Sequence, residues 1–356
     1  MKEKGFAMKK KIVRVGPLAL GEGVIIQSMT NVRTERTEEV LAQIGRLAEA
    51  GCPLVRVSVP DLPGAEALKV ICKKSPLPVV ADIHYDWRLA VRAAENGAAK
   101  IRINPGNMEP EGLKKVVAAC KRADIPIRVG VNSGSLPDRL LAEYGRTPEA
   151  LARCAKESVK LLEDLDFDQI VVSAKSSDVA GTVAANRMLA DLPYPLHIGV
   201  TEAGTVRSGL IKSAAGLGAL LLEGIGDTIR VSLSGDPVEE VYAARQILRA
   251  VGLDKNFVEV IACPTCARTE CDVVGLAERV ERLTAGLTVP LKVAVMGCAV
   301  NGIGEGKEAD LGIAGGKGKC VIFRQGEVLC TLPQAEAEAA FLKILEEMCE
   351  ERRERK

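Results

Sequence analysis

Short apolar runs rich in valine and isoleucine alternate with longer segments of helical periodicity through the first two thirds of the chain. The apolar runs predict eight strands, at residues 24–29, 54–59, 78–83, 100–104, 126–132, 169–175, 195–201 and 228–234. Helices are predicted between them, among others at residues 38–50, 86–96, 111–123, 148–165 and 237–250. Eight β/α units over residues 1–254 predict an α/β fold, a TIM (β/α)8 barrel, with a doubly wound open sheet as the alternative.

Polar residues alternate with apolar ones within the predicted strands. Because successive side chains of a strand point to opposite faces, these polar residues share one face. They are Arg56, Asp82, His84, Arg102, Asn104, Arg128, Asn132, Ser173, Lys175, His197, Thr201, Arg230 and Ser232. Helices cover the outside of a β/α barrel, so this face is expected to line its interior and its mouth.

Several arginines and a lysine in a narrow cavity repel one another unless an anion neutralises them. The polar face therefore predicts a site for a multiply charged anion, most simply a diphosphate, which guanidinium groups bind through paired hydrogen bonds. Structural ion pairs are the alternative for any single arginine, but Asp82 is the only carboxylate of this face within the predicted strands.

Three residues near the predicted strand ends are candidates for chemistry. Glu202 follows the seventh strand, at the end of a barrel where catalytic residues lie, and is a candidate acid; a carboxylate at a helix entry is the alternative. His84 and His197 are the only histidines, and their place on the polar face favours contact with a ligand over metal binding. Zinc hydrolysis based on histidine is therefore disfavoured.

The pattern changes near residue 254. Strands at 257–261 and 291–296, helices at 273–283 and 334–350, a glycine-rich segment at 301–318 and a hairpin at 319–331 predict a smaller α/β domain over residues 255–356. Cys263 and Cys266 lie on one turn after its first strand, and Cys298 follows its second. Three thiols in neighbouring loops predict a metal site with one position left to another ligand.

The identity of that metal site depends on a fourth ligand. A closed zinc site completed by Cys271 is one interpretation. A zinc ribbon normally offers two close cysteine pairs, however, and here the second group consists of Cys298 alone. An iron–sulfur cluster accepts less regular spacing and can leave one iron without a thiolate. Cys320 and Cys330 are predicted to face each other across the hairpin as packing residues.

Composition excludes several classes of protein. The formal net charge is +1 with acids and bases interspersed, which argues against nucleic-acid and membrane partners. Eleven cysteines in a long chain favour reduced thiols or metal ligands, and packing roles are expected for Cys52, Cys72, Cys120, Cys154 and Cys349. The basic start runs into residues 12–15 without the apolar stretch of a signal peptide, so we expect a cytoplasmic protein.

The chain resembles the bacterial 4-hydroxy-3-methylbut-2-en-1-yl diphosphate synthases of the non-mevalonate isoprenoid pathway. The resemblance spans nearly the whole chain. The motifs that carry it are VIIQSMTN at 24–31, VRVS at 55–58, ADIH at 81–84, RINPGN at 102–107, RVGVN at 128–132, HIGVTEAG at 197–204, CPTCAR at 263–268 and GCAVNGIGE at 297–305.

This resemblance implies a [4Fe–4S] cluster on Cys263, Cys266 and Cys298, with Glu305 as the exchangeable ligand of the fourth iron and Cys271 as a bystander. The implied reaction is the reductive ring opening of 2-C-methyl-D-erythritol 2,4-cyclodiphosphate, with two electrons from flavodoxin or ferredoxin. The polar face of the barrel would hold this substrate, and Arg268 and Asn301 would reach it from beside the cluster.

The resemblance also implies a head-to-tail homodimer, in which the cluster domain of one subunit covers the barrel of its partner and a hinge lies near residues 253–256. Two rival functions stay open at this point. One is a non-redox barrel enzyme related to pterin-binding synthases, with a structural zinc domain. The other is an electron-transfer or metal-carrier protein whose barrel has lost catalysis.

Overall fold

The computed structural model describes residues 10–354, so the basic start up to residue 9 lies outside the described residues. Contacts between residues divide the chain into two compact units, with the division between Leu253 and Asp254. No helix of the described part is long and apolar enough to cross a membrane.

The first unit begins with a small antiparallel hairpin, β1 (Val13–Val15) and β2 (Leu18–Leu20). Eight strands follow: β3 (Ile25–Met29), β4 (Leu54–Ser58), β5 (Val79–Asp82), β6 (Lys100–Ile103), β7 (Ile127–Asn132), β8 (Ile170–Lys175), β9 (His197–Ile198) and β10 (Thr228–Ile229). The helices are α1 (Thr37–Glu49), α2 (Leu62–Lys74), α3 (Trp87–Glu95), α4 (Pro110–Ala123), α5 (Asp138–Tyr144), α6 (Pro148–Glu163), α7 (Val179–Leu189), α8 (Val206–Leu222) and α9 (Pro237–Ala250).

These eight strands form one parallel sheet in the order β8-β7-β6-β5-β4-β3-β10-β9. A parallel bridge between Val172 on β8 and Leu196 beside β9 joins the two ends of that order. The sheet is thus nearly closed on itself, so the predicted barrel is confirmed and the open-sheet alternative is wrong.

Local sequence explains where most of the barrel helices begin. A side-chain oxygen just before the helix accepts a backbone N–H of the first turn at Asp61, Asp86, Thr147, Asp178 and Asp236. Such caps satisfy N–H groups that have no partner within the helix. Proline occupies the first position of α4, α6 and α9, where its missing N–H costs nothing.

The two faces of the barrel strands have different environments. Apolar side chains such as Val57, Ile103 and Val129 are buried beneath the helices in the main core. Inside the barrel, at the starts of the strands, Leu54, Val80 and Val171 pack with Val13, Val15 and Leu20 of the hairpin. The sequence did not predict this hairpin, which covers the lower end of the barrel with apolar contacts.

Two barrel strands are shorter than predicted. β9 and β10 have two residues each, so Thr201 and Ser232 lie beyond strand ends rather than within strands. After β10, the Leu233 N–H donates to the Glu240 side chain at 3.1 Å and not to a neighbouring strand. Glu202 has a left-handed backbone, with φ of 52°, which a strand cannot accommodate.

The second unit is a five-stranded sheet with three helices. Its strands are β11 (Val258–Ala262), β12 (Leu291–Met296), β13 (Leu311–Gly316), β14 (Lys319–Arg324) and β15 (Glu327–Pro333), paired in chain order. β11, β12 and β13 are parallel, and the last three strands pair antiparallel. The helices are α10 (Val273–Thr284), α11 (Ala299–Glu305) and α12 (Gln334–Glu354).

The predicted glycine-rich segment at 301–318 is not a plain loop. It contains most of α11 and the whole of β13, whose Leu311 and Ile313 join the core of the unit. Glycine is rare in regular elements, so its abundance concealed a buried strand. The expected cysteine pair across the hairpin is also wrong, because Cys320 pairs with Leu332 and Cys330 pairs with Ile322.

Candidate functional site

The first candidate site is a cavity of about 210 Å³ within the barrel, called here the inner cavity. It is lined by Met29, Arg56, Asp82, His84, Arg102, Arg128, Gly130, Asn132, Ser173, Lys175, Thr201, Arg230 and Ser232. The structure therefore brings together most of the predicted polar face. Asn104, His197 and Glu202 are the predicted barrel residues that do not line it.

Asp82 organises two of the arginines. Its carboxylate lies 3.0 Å from Arg102 Nη1 and 3.6 Å from Arg56 Nε, and it is nearly fully buried. Burial opposes ionisation of Asp82, but the Arg56 charge, a hydrogen bond from His84 and the Arg102 charge together hold its pKa well below the usual range. The carboxylate is therefore ionised at neutral pH and fixes both guanidinium groups.

A second buried carboxylate was missed in the sequence. Glu240 lies in the first turns of α9, and its Oε1 accepts from Arg230 Nη2 at 3.1 Å. It sits on the helix face that also buries Pro237, Val241 and Ala244. The sequence did contain a signal for this ion pair, because Glu240 lies on the apolar face of the predicted helix and a carboxylate there is rarely buried without a partner.

Other cations of the barrel interior have no such partner. Arg128 is 1% exposed, and within the described residues its Nε and Nη1 atoms have no hydrogen-bond partner. Lys100, two residues before Arg102 on β6, is fully buried and its Nζ is likewise unpartnered there. Buried cations without partners are costly, so the interior is suited to an anion that would pair with them.

His197 occupies a different place from the one predicted. It is fully buried and lines neither the inner cavity nor the outer one described next. Its Nε2 lies 3.1 Å from Lys175 Nζ, and its Nδ1 lies 2.7 Å from Thr228 Oγ1. His197 thus contacts Lys175 on the side away from the cavity. The alternation of polar and apolar residues along a strand could not distinguish this position from one in direct contact with a ligand.

A wider cavity of about 350 Å³, the outer cavity, shares walls with the inner one at His84, Arg102, Gly130, Asn132 and Thr201. Its further lining is Tyr85, Asn104, Asn107, Ser133, Gly134, Ser135, Arg146, Ser177 and Glu202. Glu202 and Asn104 therefore lie at the mouth and not at the bottom of the site. Tyr85 and Arg146 are both exposed and were not predicted, since they lie outside the strands.

The second candidate site lies in the second unit. A cavity of about 160 Å³, called here the thiol cavity, is lined by Cys263, Pro264, Thr265, Cys266, Arg268, Met296, Gly297, Cys298, Asn301, Gly302 and Glu305. β11 and β12 are parallel neighbours, so the loops after them, which carry the three cysteines, lie side by side. Glu305 reaches the same cavity from the last residue of α11.

Backbone N–H groups point at two of the thiols. The Gly297 N–H donates to Cys263 Sγ at 3.4 Å, and the Arg268 N–H donates to Cys266 Sγ at 3.5 Å. Hydrogen bonds from the Arg268 backbone and side chain lower the pKa of Cys266. A Cβ at Gly297 would lie 3.0 Å from the Thr269 side chain and 3.2 Å from Cys263 Sγ, so glycine avoids crowding at this close approach.

The residues around the thiol cavity fit an iron–sulfur cluster. Three thiols, a carboxylate and N–H donors to sulfur around one cavity are the donors that hold and tune such clusters. Cys271 does not line this cavity, and its Sγ donates to the Met296 carbonyl at 3.6 Å. Burial raises the pKa of Cys271 to about 11, so it is a poor ligand in this position.

In residues 10–354, no three histidine, cysteine or acidic groups are placed to hold a single metal ion.

Comparison with known proteins places this geometry in a family. The GcpE TIM-barrel domain matches residues 10–245, and the GcpE protein C-terminal domain matches residues 259–347. The chain belongs to the GcpE family. Every candidate residue of the barrel cavities lies in the first match, and all of the thiol cavity lies in the second.

Curated relatives cover almost the whole chain. A protein of Caldanaerobacter subterraneus subsp. tengcongensis is 53% identical over 95% of this chain and 97% of its own length. A protein of Geobacillus kaustophilus is 50% identical over 96% of this chain and 93% of its own length. Both are named 4-hydroxy-3-methylbut-2-en-1-yl diphosphate synthase (flavodoxin).

Solved structures similar to this GcpE chain share its barrel. The dihydropteroate synthase of Yersinia pestis matches 69% of this chain and 99% of its own, with a TM-score of 0.50 and 15% identity. That identity is low, so the likeness shows the fold alone. The alternative that this chain is a non-redox enzyme related to pterin-binding synthases is not favoured, because the relatives near 50% identity are named 4-hydroxy-3-methylbut-2-en-1-yl diphosphate synthase (flavodoxin).

Proposed function

We propose that this protein is a cytoplasmic iron–sulfur oxidoreductase that converts 2-C-methyl-D-erythritol 2,4-cyclodiphosphate to (E)-4-hydroxy-3-methylbut-2-enyl diphosphate and water. The names of the relatives at 53% and 50% identity support this reaction. The observation in the chain itself that carries the proposal is the inner cavity, where buried cations outnumber carboxylates. A cyclic diphosphate dianion would balance part of that excess.

The reaction balances with two electrons and one proton. The cyclic diphosphate is a dianion, and cleavage of its bond from carbon to phosphate oxygen frees a terminal phosphate oxygen. Two electrons and one proton then give the trianionic product and one water. The residues must therefore hold a diphosphate whose charge grows by one during turnover.

The barrel residues take the following roles in this proposal. Arg56 and Arg102, already fixed by Asp82, would bind the diphosphate through their remaining N–H groups. Arg128, Lys175 and Arg230 would bind it from the other strands. The shorter polar side chains orient the carbon skeleton: His84, Asn104, Asn132, Ser173, Thr201 and Ser232. Glu202, at the mouth, is the candidate acid for the proton that the reaction takes up.

Cys263, Cys266 and Cys298 would hold a [4Fe–4S] cluster, and Glu305 would be the exchangeable ligand of its fourth iron. When bound, the cluster supplies single electrons and a Lewis-acidic iron for the departing oxygen. The side chains of Arg268 and Asn301 line the same cavity and would contact the substrate beside it. We propose flavodoxin as the electron donor, since the relatives' name includes it, with ferredoxin as the alternative.

Anaerobic purification with iron, zinc and sulfide analysis is the first test. We expect about four iron and four sulfide per chain, a brown chromophore bleached by dithionite, and turnover of the cyclic diphosphate with reduced flavodoxin. Zinc without sulfide would support the structural-zinc alternative instead. A reducible cluster without turnover would support the electron-carrier alternative.

We also propose that the enzyme is a homodimer in which the second unit of one subunit completes the barrel site of its partner. A mixing experiment tests this. Arg128→Ala weakens the barrel site and Cys298→Ser disables the cluster, so each variant alone should have little activity at a substrate concentration well below the KM of the Arg128→Ala variant. If the sites are completed between subunits, mixed dimers regain activity, because one barrel and one cluster of each pair stay intact. Mixtures without activity, in which exchange is verified, would contradict the arrangement.

A further inference from the structure

Lys175, His197 and Thr228 form a hydrogen-bonded row that starts at the inner cavity and runs into the barrel wall. Lys175 Nζ is 3.1 Å from His197 Nε2, and His197 Nδ1 is 2.7 Å from Thr228 Oγ1. Lys175 is 6% exposed and the other two are fully buried. Lys175 lies over Gly199, where a Cβ would come within 2.8 Å of its Nζ. The row is thus tightly packed and shielded from solvent.

This row satisfies its hydrogen bonds in two different proton arrangements. In one, a lysine ammonium donates to Nε2, and an N–H on Nδ1 donates to the Thr228 hydroxyl. In the other, an N–H on Nε2 donates to a neutral lysine amine, and the Thr228 hydroxyl donates to Nδ1. The imidazole is neutral in both, since burial above all, and the charge of Arg128 besides, lower the pKa of His197 well below its usual range; a charged Lys175 lowers this pKa further in the first arrangement.

The surroundings disfavour the charged lysine when no anion is present. Arg56 from β4, Arg102 and Lys100 from β6, Arg128 from β7 and Arg230 after β10 face the interior with Lys175, against the carboxylates Asp82 from β5 and Glu240 from α9. A charged Lys175 would therefore make six cations against two carboxylates. Burial, followed by the charges of Arg128 and Arg56, lowers the pKa of Lys175 well below its usual range.

We propose that Lys175 is a neutral amine in the free enzyme and takes up one proton when a phosphate-type dianion enters the inner cavity, with His197 and Thr228 as the positioning residues that make both states possible. Solvent supplies one proton, Lys175 Nζ gains it, and the single ring proton of His197 changes from Nε2 to Nδ1 while the Thr228 hydroxyl rotates. The choice of the cyclic diphosphate as that dianion rests on the proposed function; the proton uptake itself does not.

Calorimetry measures the proton directly. The cluster-loaded protein, without reductant so that no turnover occurs, is titrated with the cyclic diphosphate in two buffers of different ionisation enthalpy. We expect uptake of about one proton per site, and affinity that falls up to tenfold per pH unit as pH rises between the pKa of Lys175 in the free and in the bound protein. Binding without proton uptake would overturn the inference.

Histidine NMR provides a second readout, which a merely structural histidine would not change. The chain has only two histidines, so ¹⁵N-histidine labelling gives two rings, and His84→Gln identifies the signals of His197. We expect the proton on Nε2 in the free protein and on Nδ1 with the anion bound. The same tautomer in both states would refute the proposed exchange.

Matched variants separate the row from general packing. Lys175→Arg keeps a permanent charge, so proton uptake should fall to near zero while the anion still binds. Thr228→Val removes the acceptor for the Nδ1–H and should weaken anion binding about tenfold, whereas Thr228→Ser keeps the hydroxyl and should stay within about twofold of wild type. Uptake that persists in Lys175→Arg, or equal losses in the two Thr228 variants, would contradict the assignment.

Sulfate distinguishes failure of this inference from failure of the proposed function. It stays a dianion through the neutral range, and its binding needs no enzyme activity. If sulfate binds with uptake of one proton and the cyclic diphosphate does not bind at all, the substrate assignment is wrong and the proton switch stands. If both bind without proton uptake, the switch is wrong and the substrate assignment is unaffected.

Discussion

Asp82→Asn should destabilise the anion-free barrel by about 3 kcal/mol. The carboxylate contacts Arg102 at 3.0 Å and Arg56 at 3.6 Å and is almost fully buried. At an effective dielectric constant of about 20, each contact is worth roughly 5 kcal/mol before desolvation, and removing one partner of a buried pair typically costs about 3–5 kcal/mol. The lower figure applies here because the asparagine oxygen still accepts a hydrogen bond from Arg102.

The assay is urea unfolding followed by tryptophan fluorescence. Trp87 is the only tryptophan of the chain and lies at the start of α3, so its signal reports on the barrel unit. A loss of about 3 kcal/mol should lower the urea midpoint by roughly 1 M. The matched control is Asp191→Asn, which removes an exposed carboxylate 3.0 Å from Lys156 and should cost at most about 1 kcal/mol.

The pH dependence follows from the direction of the shift. The arginines hold the pKa of Asp82 well below its usual range in the folded protein. Its contribution is therefore fully present above the unfolded value of about 3.9 and is lost as pH falls below that value. Sulfate or the cyclic diphosphate should stabilise the variant more than wild type, since the variant has one more unbalanced cation. A variant that loses no more stability than Asp191→Asn would refute the charge-organising role of Asp82.

Three further outcomes test other parts of the site. Arg128→Ala should leave iron and sulfide content unchanged and weaken binding of the cyclic diphosphate at least tenfold, because one buried cation of the inner cavity is removed; unchanged affinity in calorimetry would contradict the anion site. Cys271→Ala should keep the full cluster absorbance, since its thiol lies outside the thiol cavity; loss of iron would show that the ligands are misassigned. Glu240→Gln should weaken the positioning of Arg230 and raise KM for the cyclic diphosphate more than it lowers kcat; an unchanged KM would separate this ion pair from substrate binding.

The sequence predicted the barrel and its polar interior because both depend on local alternation. Arg56, Arg102 and Arg128 each lie between buried apolar neighbours, and strand geometry alone then sends them inward. The thiol cavity was predictable for a similar reason, since Cys263 and Cys298 follow two strands whose carboxyl ends meet at one edge. β13 escaped prediction because its glycines concealed the alternation of Leu311 and Ile313.

Pairings between elements were beyond the sequence. Whether Arg230 faces an anion or a carboxylate depends on Glu240, which belongs to a helix and not to the sheet, so no strand pattern includes it. The position of His197 was also beyond the sequence. Alternation places it on the inward face of the strands, yet β9 ends one residue after it and its ring packs beneath Lys175, away from the cavity. Alternation assigns a side chain to the interior of a barrel but not to a depth within it. Depth decides function in our two proposals, since a residue at the cavity wall would bind the anion directly, while one beneath it would set the protonation state of the residue that does.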